Sequence, residues 1–211
     1  MNLLLARRQP MIAGIILAAG ESTRMGTPKQ LLPWGETTVL QRVIDVAAAS
    51  RLERVILVLG AHIEAVTDRI TVPAKFLCVI NEAYREGMAT SLKCGIRNAP
   101  AEANGFMLIL GDQPLLEKTL IDRLIEAHHS VGGITIPVCD GRRGHPVIFG
   151  ARYRAELLAI GDQGAREVVR RHRNEIAEVP VTSLHILTDM DTPEDYRKIR
   201  AQAAGHPGEE G

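Results

Sequence analysis

A stretch of bare backbone carrying two cations holds the plainest chemistry in this chain. It runs Leu17-Ala18-Ala19-Gly20-Glu21-Ser22-Thr23-Arg24-Met25-Gly26-Thr27-Pro28-Lys29 and follows an apolar run, 12–16, that reads as a buried strand. Ala18, Ala19, Gly20 and Gly26 leave the main-chain N–H groups open to anionic oxygens. Arg24 adds a planar, permanently charged fork and Lys29 a mobile point charge. Two cations on one tight loop suit a polyphosphate better than a carboxylate. The segment is not a Walker loop, which places a Lys-Ser/Thr pair directly after its second glycine; here Pro28 and Pro33 keep the chain irregular. Nor does it have the G-x-G-x-x-G spacing of a dinucleotide site. A merely solvated turn is the plainer alternative, disfavoured because long structureless loops within compact domains are generally functional.

Further candidates lie at other loop positions. Gly111-Asp112-Gln113-Pro114 follows the apolar run 105–110 directly. A carboxylate there is placed to hold a divalent cation, and magnesium takes one or two carboxylates together with substrate phosphate oxygens. The alternative is that Asp112 caps the next helix. Near the end, Asp189-Met190-Asp191-Thr192-Pro193-Glu194-Asp195 contains a helix-start pattern in Thr192, Pro193 and Asp195. Asp189 and Asp191 lie outside that pattern and either complete a metal shell with Asp112 or form a solvated acidic turn. Between 81 and 92, Asn81, Gly87, Thr90 and Ser91 offer close backbone approach and small polar groups for a base and ribose. Thr90 and Ser91 equally suit a helix start.

The elements that position these residues alternate. Apolar runs at 12–18, 55–59, 76–80, 105–110 and 133–138 predict strands; they are continuously apolar, as a parallel sheet covered on both faces requires. Helical patterns at 39–47 (capped by Thr38), 63–70, 90–97 and 115–129 fall between them. This rhythm predicts right-handed crossovers and an α/β fold with a doubly wound, mostly parallel sheet. After Val138 the turn Asp140-Gly141-Arg142-Arg143-Gly144 and the run 147–149 predict a β-hairpin excursion. Short helices at 153–159 and 165–172, late strands at 179–181 and 185–187, and a final helix from 193 to about 203 complete the pattern. In open parallel sheets ligands bind beyond the C-terminal strand ends, where the basic loop and Asp112 both fall.

At 211 residues and 45% apolar, the chain has enough for one core, and with 3% aromatics that core is aliphatic. A single domain is expected over 11–204, between a loose extension at 1–10 and a frayed tail at 205–211. Formal net charge is zero with cations spread along the chain, which argues against a nucleic-acid polymer or an anionic membrane as partner. The cluster Arg170-Arg171-His172-Arg173 reads as the crown of a helix C-terminus. Cys78, Cys94 and Cys139 are odd in number and lack C-x-x-C pairing, so buried reduced thiols in a cytoplasmic protein are expected.

Three of these segments together resemble the molybdenum-cofactor nucleotidyltransferases: Leu-Ala-Ala-Gly-x-Ser-x-Arg-Met-Gly-x-x-Lys at 17–29, Gly-Asp-Gln-Pro at 111–114 and Asp-x-Asp-Thr-Pro-Glu-Asp at 189–195. The likeness covers roughly residues 12–200 and implies the nucleotide-diphospho-sugar transferase fold. Glu86–Leu92, Gly144-His145-Pro146-Val147-Ile148-Phe149 and Gly161-Asp162-Gln163-Gly164-Ala165-Arg166 look like the cytidylyl branch, as does Ala19 where the guanylyl branch carries glycine. The resemblance implies that Leu17, Ala18, Ala19, Gly20, Asn81, Gly87 and Ser91 line the nucleotide, with Arg24 and Lys29 on the β- and γ-phosphates. It implies Mg²⁺ on Asp112 with Asp191 or Asp189, and an acceptor met by Arg142, Arg143, His145, Asp162 and Arg166. The implied reaction is CMP transfer from CTP to the terminal phosphate of molybdopterin, whose product a molybdenum hydroxylase apoenzyme would receive. Cytidylyl or uridylyl transfer to a small sugar or polyol phosphate, or a nucleotide-binding maturation chaperone, are the alternatives.

Overall fold

The computed structural model describes residues 10–23, 25–188 and 190–205. Arg24 and Asp189, and almost all of the expected extension and tail, lie outside the described residues. The strands are β1 (Ile12–Leu17), β2 (Pro33–Trp34), β3 (Thr37–Thr38), β4 (Arg54–Leu59), β5 (Phe76–Ile80), β6 (Gly105–Leu110), β7 (Ile134–Cys139), β8 (Arg142–Arg143), β9 (Val147–Gly150) and β10 (Ile176–Pro180). The helices are α1 (Val39–Ala49), α2 (Ile63–Thr67), α3 (Met88–Asn98), α4 (Lys118–Val131), α5 (Arg154–Ala159), α6 (Ala165–Arg171) and α7 (Pro193–Gly205). The main sheet has the order β10-β7-β9-β6-β1-β4-β5, with β8 on β7, while β2 and β3 form a separate small hairpin.

Strand alternation divides the apolar runs between two cores. On β1, Ile12 and Ile16 pack with Leu40, Ile44, Leu124 and Ile125 of α1 and α4. Ala13 and Ile15, on the opposite face, pack with Leu92 and Ile96 of α3 and Leu157 of α5. Both faces of the sheet centre are therefore covered, as a doubly wound sheet needs. Val39, Leu40, Val43, Ile44, Val46 and Ala47 of α1 are all buried, and Thr38 caps it by accepting from Gln41 N at 3.2 Å. No helix among the described residues is long and apolar enough to cross a membrane.

Several expectations are corrected. β5 is a sheet edge and not a covered strand: Leu77 is 50% and Ile80 59% exposed. Only Cys139 is a buried thiol; Cys78 is exposed and Cys94 half-buried. The expected late strand at 185–187 is a 3₁₀ turn, Leu184–Leu187, started by Ser183 Oγ accepting from His185 N at 3.3 Å. The helix expected from 115 begins at Lys118, because the chain first turns with Leu116 N donating to Gln113 O at 3.1 Å. The excursion is a hairpin at its tip: Asp140 and Gly141 have φ of 50° and 73°, the signature of a two-residue turn, and Cys139 pairs with Arg142. Its return strand, β9, does not stay outside. It inserts antiparallel between β6 and β7.

One buried group makes stability depend on pH. His128 of α4 is 5% exposed, with its Nδ1 2.9 Å from Thr135 Oγ1 on β7. Burial, aided by His129 and Arg152 nearby, pushes its pKa down to about 4. The unfolded chain takes up a proton near the ordinary histidine value while the folded chain refuses it. His128 therefore leaves stability intact above that ordinary value and erodes it as pH falls toward 4, by up to ~3 kcal/mol. His172 acts in the opposite sense, because Glu175 and Glu156 raise its pKa. Urea unfolding between pH 7 and 4 is thus expected to show a shallower loss in His128→Gln than in the parent chain; identical slopes would remove His128 as the cause.

Candidate active site

Three segments distant in sequence meet at one ammonium. Lys29 opens a 3₁₀ turn behind Pro28, and its Nζ donates to the Asp112 carboxylate and, at 3.5 Å, to Asp191 Oδ1. Asp112 stands just past β6, which lies beside β1 with Leu110 opposite Leu17. The two loops leaving these strands are pressed together: Gly111 N donates to Leu17 O at 2.9 Å, and a Cβ at Gly111 would come within 2.8 Å of that carbonyl oxygen. Asp191 is carried by the lead-in to α7. There Asp195 Oδ2 accepts from Thr192 N at 2.9 Å and Asp191 N at 3.3 Å, while Asp195 N donates back to Thr192 Oγ1. The expected helix-start pattern is therefore present as a reciprocal cap, which the Asp191 N–H joins while the Asp191 carboxylate is directed to Lys29. Asp112 does not cap α4, whose N-terminal neighbour is Glu117.

The chemistry of this pair fits a divalent cation bound together with phosphate. Two carboxylates converge on a single positive charge, the donor set magnesium takes in nucleotide sites. Among the described residues no group of three or more His, Cys, Asp or Glu could hold a metal ion.

The loop ahead of Lys29 is held by residues the sequence reading overlooked. Gln30 is 2% exposed, and its Nε2 donates to Ala18 O at 3.0 Å and Gly20 O at 2.9 Å. Its Oε1 accepts from Ser22 Oγ at 3.3 Å, and that hydroxyl accepts in turn from Lys29 N at 2.9 Å. Ser22 has φ of 57°, a costly conformation for a side-chain-bearing residue, and such strain concentrates at functional sites. A polar residue directly after the basic loop was the available signal for Gln30. Ala19, 3% exposed, packs against Gly60, where a Cβ would lie 2.8 Å from its methyl.

These residues floor a cleft of ≈ 1090 Å³. Leu17, Ala18, Ala19, Gly20, Lys29, Ser91, Asp112 and Asp191 line one end; Arg142, Arg143, His145, Asp162 and Arg166 line the other. The two expected halves thus share one cavity. Asn81 and Gly87 do not line it. Asn81 is 6% exposed and spends its amide on Thr90 Oγ1 at 2.8 Å and Ser91 Oγ at 2.9 Å, so it shapes the start of α3 instead of facing a ligand. Arg143 is partly committed to Glu178, at 2.7 Å. His145 sits where Gly144 is pressed on Ile186: its N–H donates to Ile186 O at 2.9 Å, and a Cβ at Gly144 would meet that oxygen at 2.3 Å.

Comparison with known proteins identifies the family and the fold. The sequence profile of the MobA-like NTP transferase domain matches residues 14–176. Nicotine blue oxidoreductase of Paenarthrobacter nicotinovorans is 29% identical over 90% of this chain and 97% of its own length. Molybdenum cofactor cytidylyltransferase of Escherichia coli is 27% identical, over 86% and 92%. Purine catabolism protein PucB of Bacillus subtilis is 26% identical, over 92% and 98%. The crystal structure of Rv0371c from Mycobacterium tuberculosis superposes with a TM-score of 0.82 at 33% identity, covering 92% of this chain and 99% of that one. The same protein is known in complex with manganese, with a TM-score of 0.78 at 31% identity, covering 91% and 98%. A nucleotidyl transferase from Methanothermobacter, 21% identical, shares the fold with a TM-score of 0.79 over 92% of this chain and 98% of that one. The fold is that of the nucleotide-diphospho-sugar transferases.

The Gln30 network makes a direct prediction. Gln30→Leu strands two carbonyls and frees Ser22, so stability should fall by about 1–3 kcal/mol and nucleotide affinity should fall further than in a stability-matched core variant. Thermal unfolding with and without nucleoside triphosphate separates the two effects. An unchanged ligand-induced shift would free Gln30 of any role in shaping the loop.

Proposed function

This chain belongs to the MobA-like NTP transferase family, and from that premise we propose that it transfers CMP from CTP to the terminal phosphate of a molybdopterin-type acceptor. Pyrophosphate leaves and the cytosine dinucleotide form of the cofactor results. The observation that carries this reading is the convergence of Asp112 and Asp191 on Lys29 at one end of a cleft whose other end is rich in arginine.

In this mechanism the bare backbone of 17–20 and Ser91 receive the nucleotide. Arg24 and Lys29 neutralise the β- and γ-phosphates and steady the departing pyrophosphate. Asp112 with Asp191 or Asp189 would hold magnesium, which when bound draws charge from the triphosphate oxygens. The manganese found with Rv0371c supports a divalent cation here. Arg142, Arg143, His145, Asp162 and Arg166 hold the acceptor. An acceptor phosphate is largely ionised near neutral pH, so no general base is required. One of its oxygens attacks the α-phosphorus in line; the bond from that phosphorus to the bridging oxygen breaks, and the oxygen leaves with pyrophosphate. Catalysis then consists of positioning and charge neutralisation. A molybdenum hydroxylase apoenzyme would receive the product, and the free thiols suit a reducing cytoplasm.

A second reading has its own support, since nicotine blue oxidoreductase and PucB are as similar to this chain as the cytidylyltransferase is. On that reading the cleft serves cytidylyl or uridylyl transfer to a small sugar or polyol phosphate, or nucleotide-dependent maturation of a partner enzyme.

Pyrophosphate release measured with CTP, GTP, UTP and ATP against molybdopterin and sugar-phosphate acceptors discriminates these readings. CTP with molybdopterin should give the fastest release; preference for GTP, or release only with a sugar phosphate, overturns the first. Asp112→Ala should lose roughly a hundredfold or more in turnover while triphosphate binding, read by thermal shift, changes much less. Full turnover of that variant at saturating magnesium would remove Asp112 from the mechanism.

A further inference from the structure

The run Arg170-Arg171-His172-Arg173, expected only to crown a helix, divides between two surfaces. Arg171 and His172 turn away from the cleft and take Glu156, Glu167 and Glu175. Arg171 pairs with Glu156 and, at 2.6 Å, with Glu167. His172 lies 2.7 Å from Glu156 and 2.8 Å from Glu175, its ring edge-on to Tyr153 at 4.9 Å. Glu175 is shared again with Arg152. This ion network fixes the end of α6 against α5 and the start of β10. Arg170 and Arg173, three positions apart and so on one side of the turn, line the cleft with Arg166 and with Arg142 of β8. Among the described residues none of these four has an ion-pair partner. Asp162 is the carboxylate on that wall, whereas at the far end Asp112 and Asp191 are engaged by Lys29.

Four guanidiniums lining one cavity repel one another and focus a positive potential into it. Their planar forks match phosphate and carboxylate oxygens. We propose that Arg166, Arg170 and Arg173, with Arg142, form a second anion subsite for a group of the acceptor other than the phosphate that is nucleotidylated. The acceptor is therefore a small molecule with two separate anionic groups, not a neutral sugar bearing one phosphate. This rests on reading the cleft as a nucleotidyl-transfer site, and adds Arg170 and Arg173 to it.

Pyrophosphate binding to the full chain, followed by calorimetry and phosphorus NMR, tests the proposal without acceptor or turnover. Two classes of site are expected: one lost in Lys29→Met, the other weakened roughly tenfold or more in Arg170→Gln/Arg173→Gln. Both arginines are exposed and unpaired, so the double variant should melt no lower than the parent and bind CTP as tightly. Fructose bisphosphate should displace pyrophosphate from the arginine-dependent class far better than fructose monophosphate. Pyrophosphate binding unaltered in the double variant overturns the subsite, and equal displacement by the two sugars overturns the two-anion requirement. If CTP fails to bind while the arginine-dependent class persists, the cytidylyl reading fails and the subsite stands.

Discussion

A single ammonium held by two carboxylates from remote parts of the chain is the constraint around which this molecule is arranged. Lys29 follows β1, Asp112 follows β6 and Asp191 precedes α7, and each arrives by a different route. Carboxylates that approach each other at the ends of parallel strands repel unless a cation stands between them. Lys29 supplies that cation, and the adjacency of β1 and β6 supplies the approach. Side chains exposed by 19%, 18% and 40% make this tie weak as a source of stability. Its importance is positional: it marks the point where two acidic groups accept a positive charge, and the loop carrying that charge is pinned separately through Gln30.

The second organising feature is the antiparallel β9. A purely parallel sheet would set β7 against β6, with one crevice between their C-terminal loops. By inserting between them, β9 spreads the sheet and leaves the β7–β8 hairpin standing over the strand ends. Gly144 then meets the Ile186 turn at backbone distance, which only a residue without a Cβ permits. The result is a cleft of ≈ 1090 Å³ lined by the loops after β1 and β6 and by β8 and α6.

Much of this was legible in the residues. The apolar runs announced their strands because a sheet buried on both faces leaves no polar positions, and the Asp140-Gly141 turn announced its hairpin because few residues accept two left-handed conformations in succession. The basic loop and Asp112 stood out because each directly follows an apolar strand, and the structure brings Lys29 and Asp112 together. What escaped detection depends on tertiary contact. The placement of β9 cannot be read from a four-residue apolar strand, since β6 and β7 alone determine where it pairs. The segment at 185–187 is apolar like a strand, yet Ser183 turns it and Gly144 receives it. Asn81 looked like a ligand-facing polar group until its amide was found committed to Thr90 and Ser91. Gln30 drew no reading from its residue type, and its role emerges only where two loop carbonyls need a donor.

The two ends of the cleft differ in how readily they can change. The Lys29 end is made of main chain, of Gly111 against Leu17 O, of Ala19 against Gly60 and of buried Gln30, so substitutions there disturb the packing of β1, β4 and β6. The other end is lined by exposed arginines of β8, α6 and the turn after it; Arg142, Arg166, Arg170 and Arg173 have no ion-pair partner among the described residues, so replacing them removes a charge without breaking an ion pair. A scaffold of this kind keeps its Lys29 end while the opposing wall is free to vary. Relatives bearing three different names at 29%, 27% and 26% identity are what such an asymmetry allows. On this argument overall similarity says little about the acceptor. The number and spacing of unpaired cations on the α6 wall say more, because they set the charge the incoming molecule must bring.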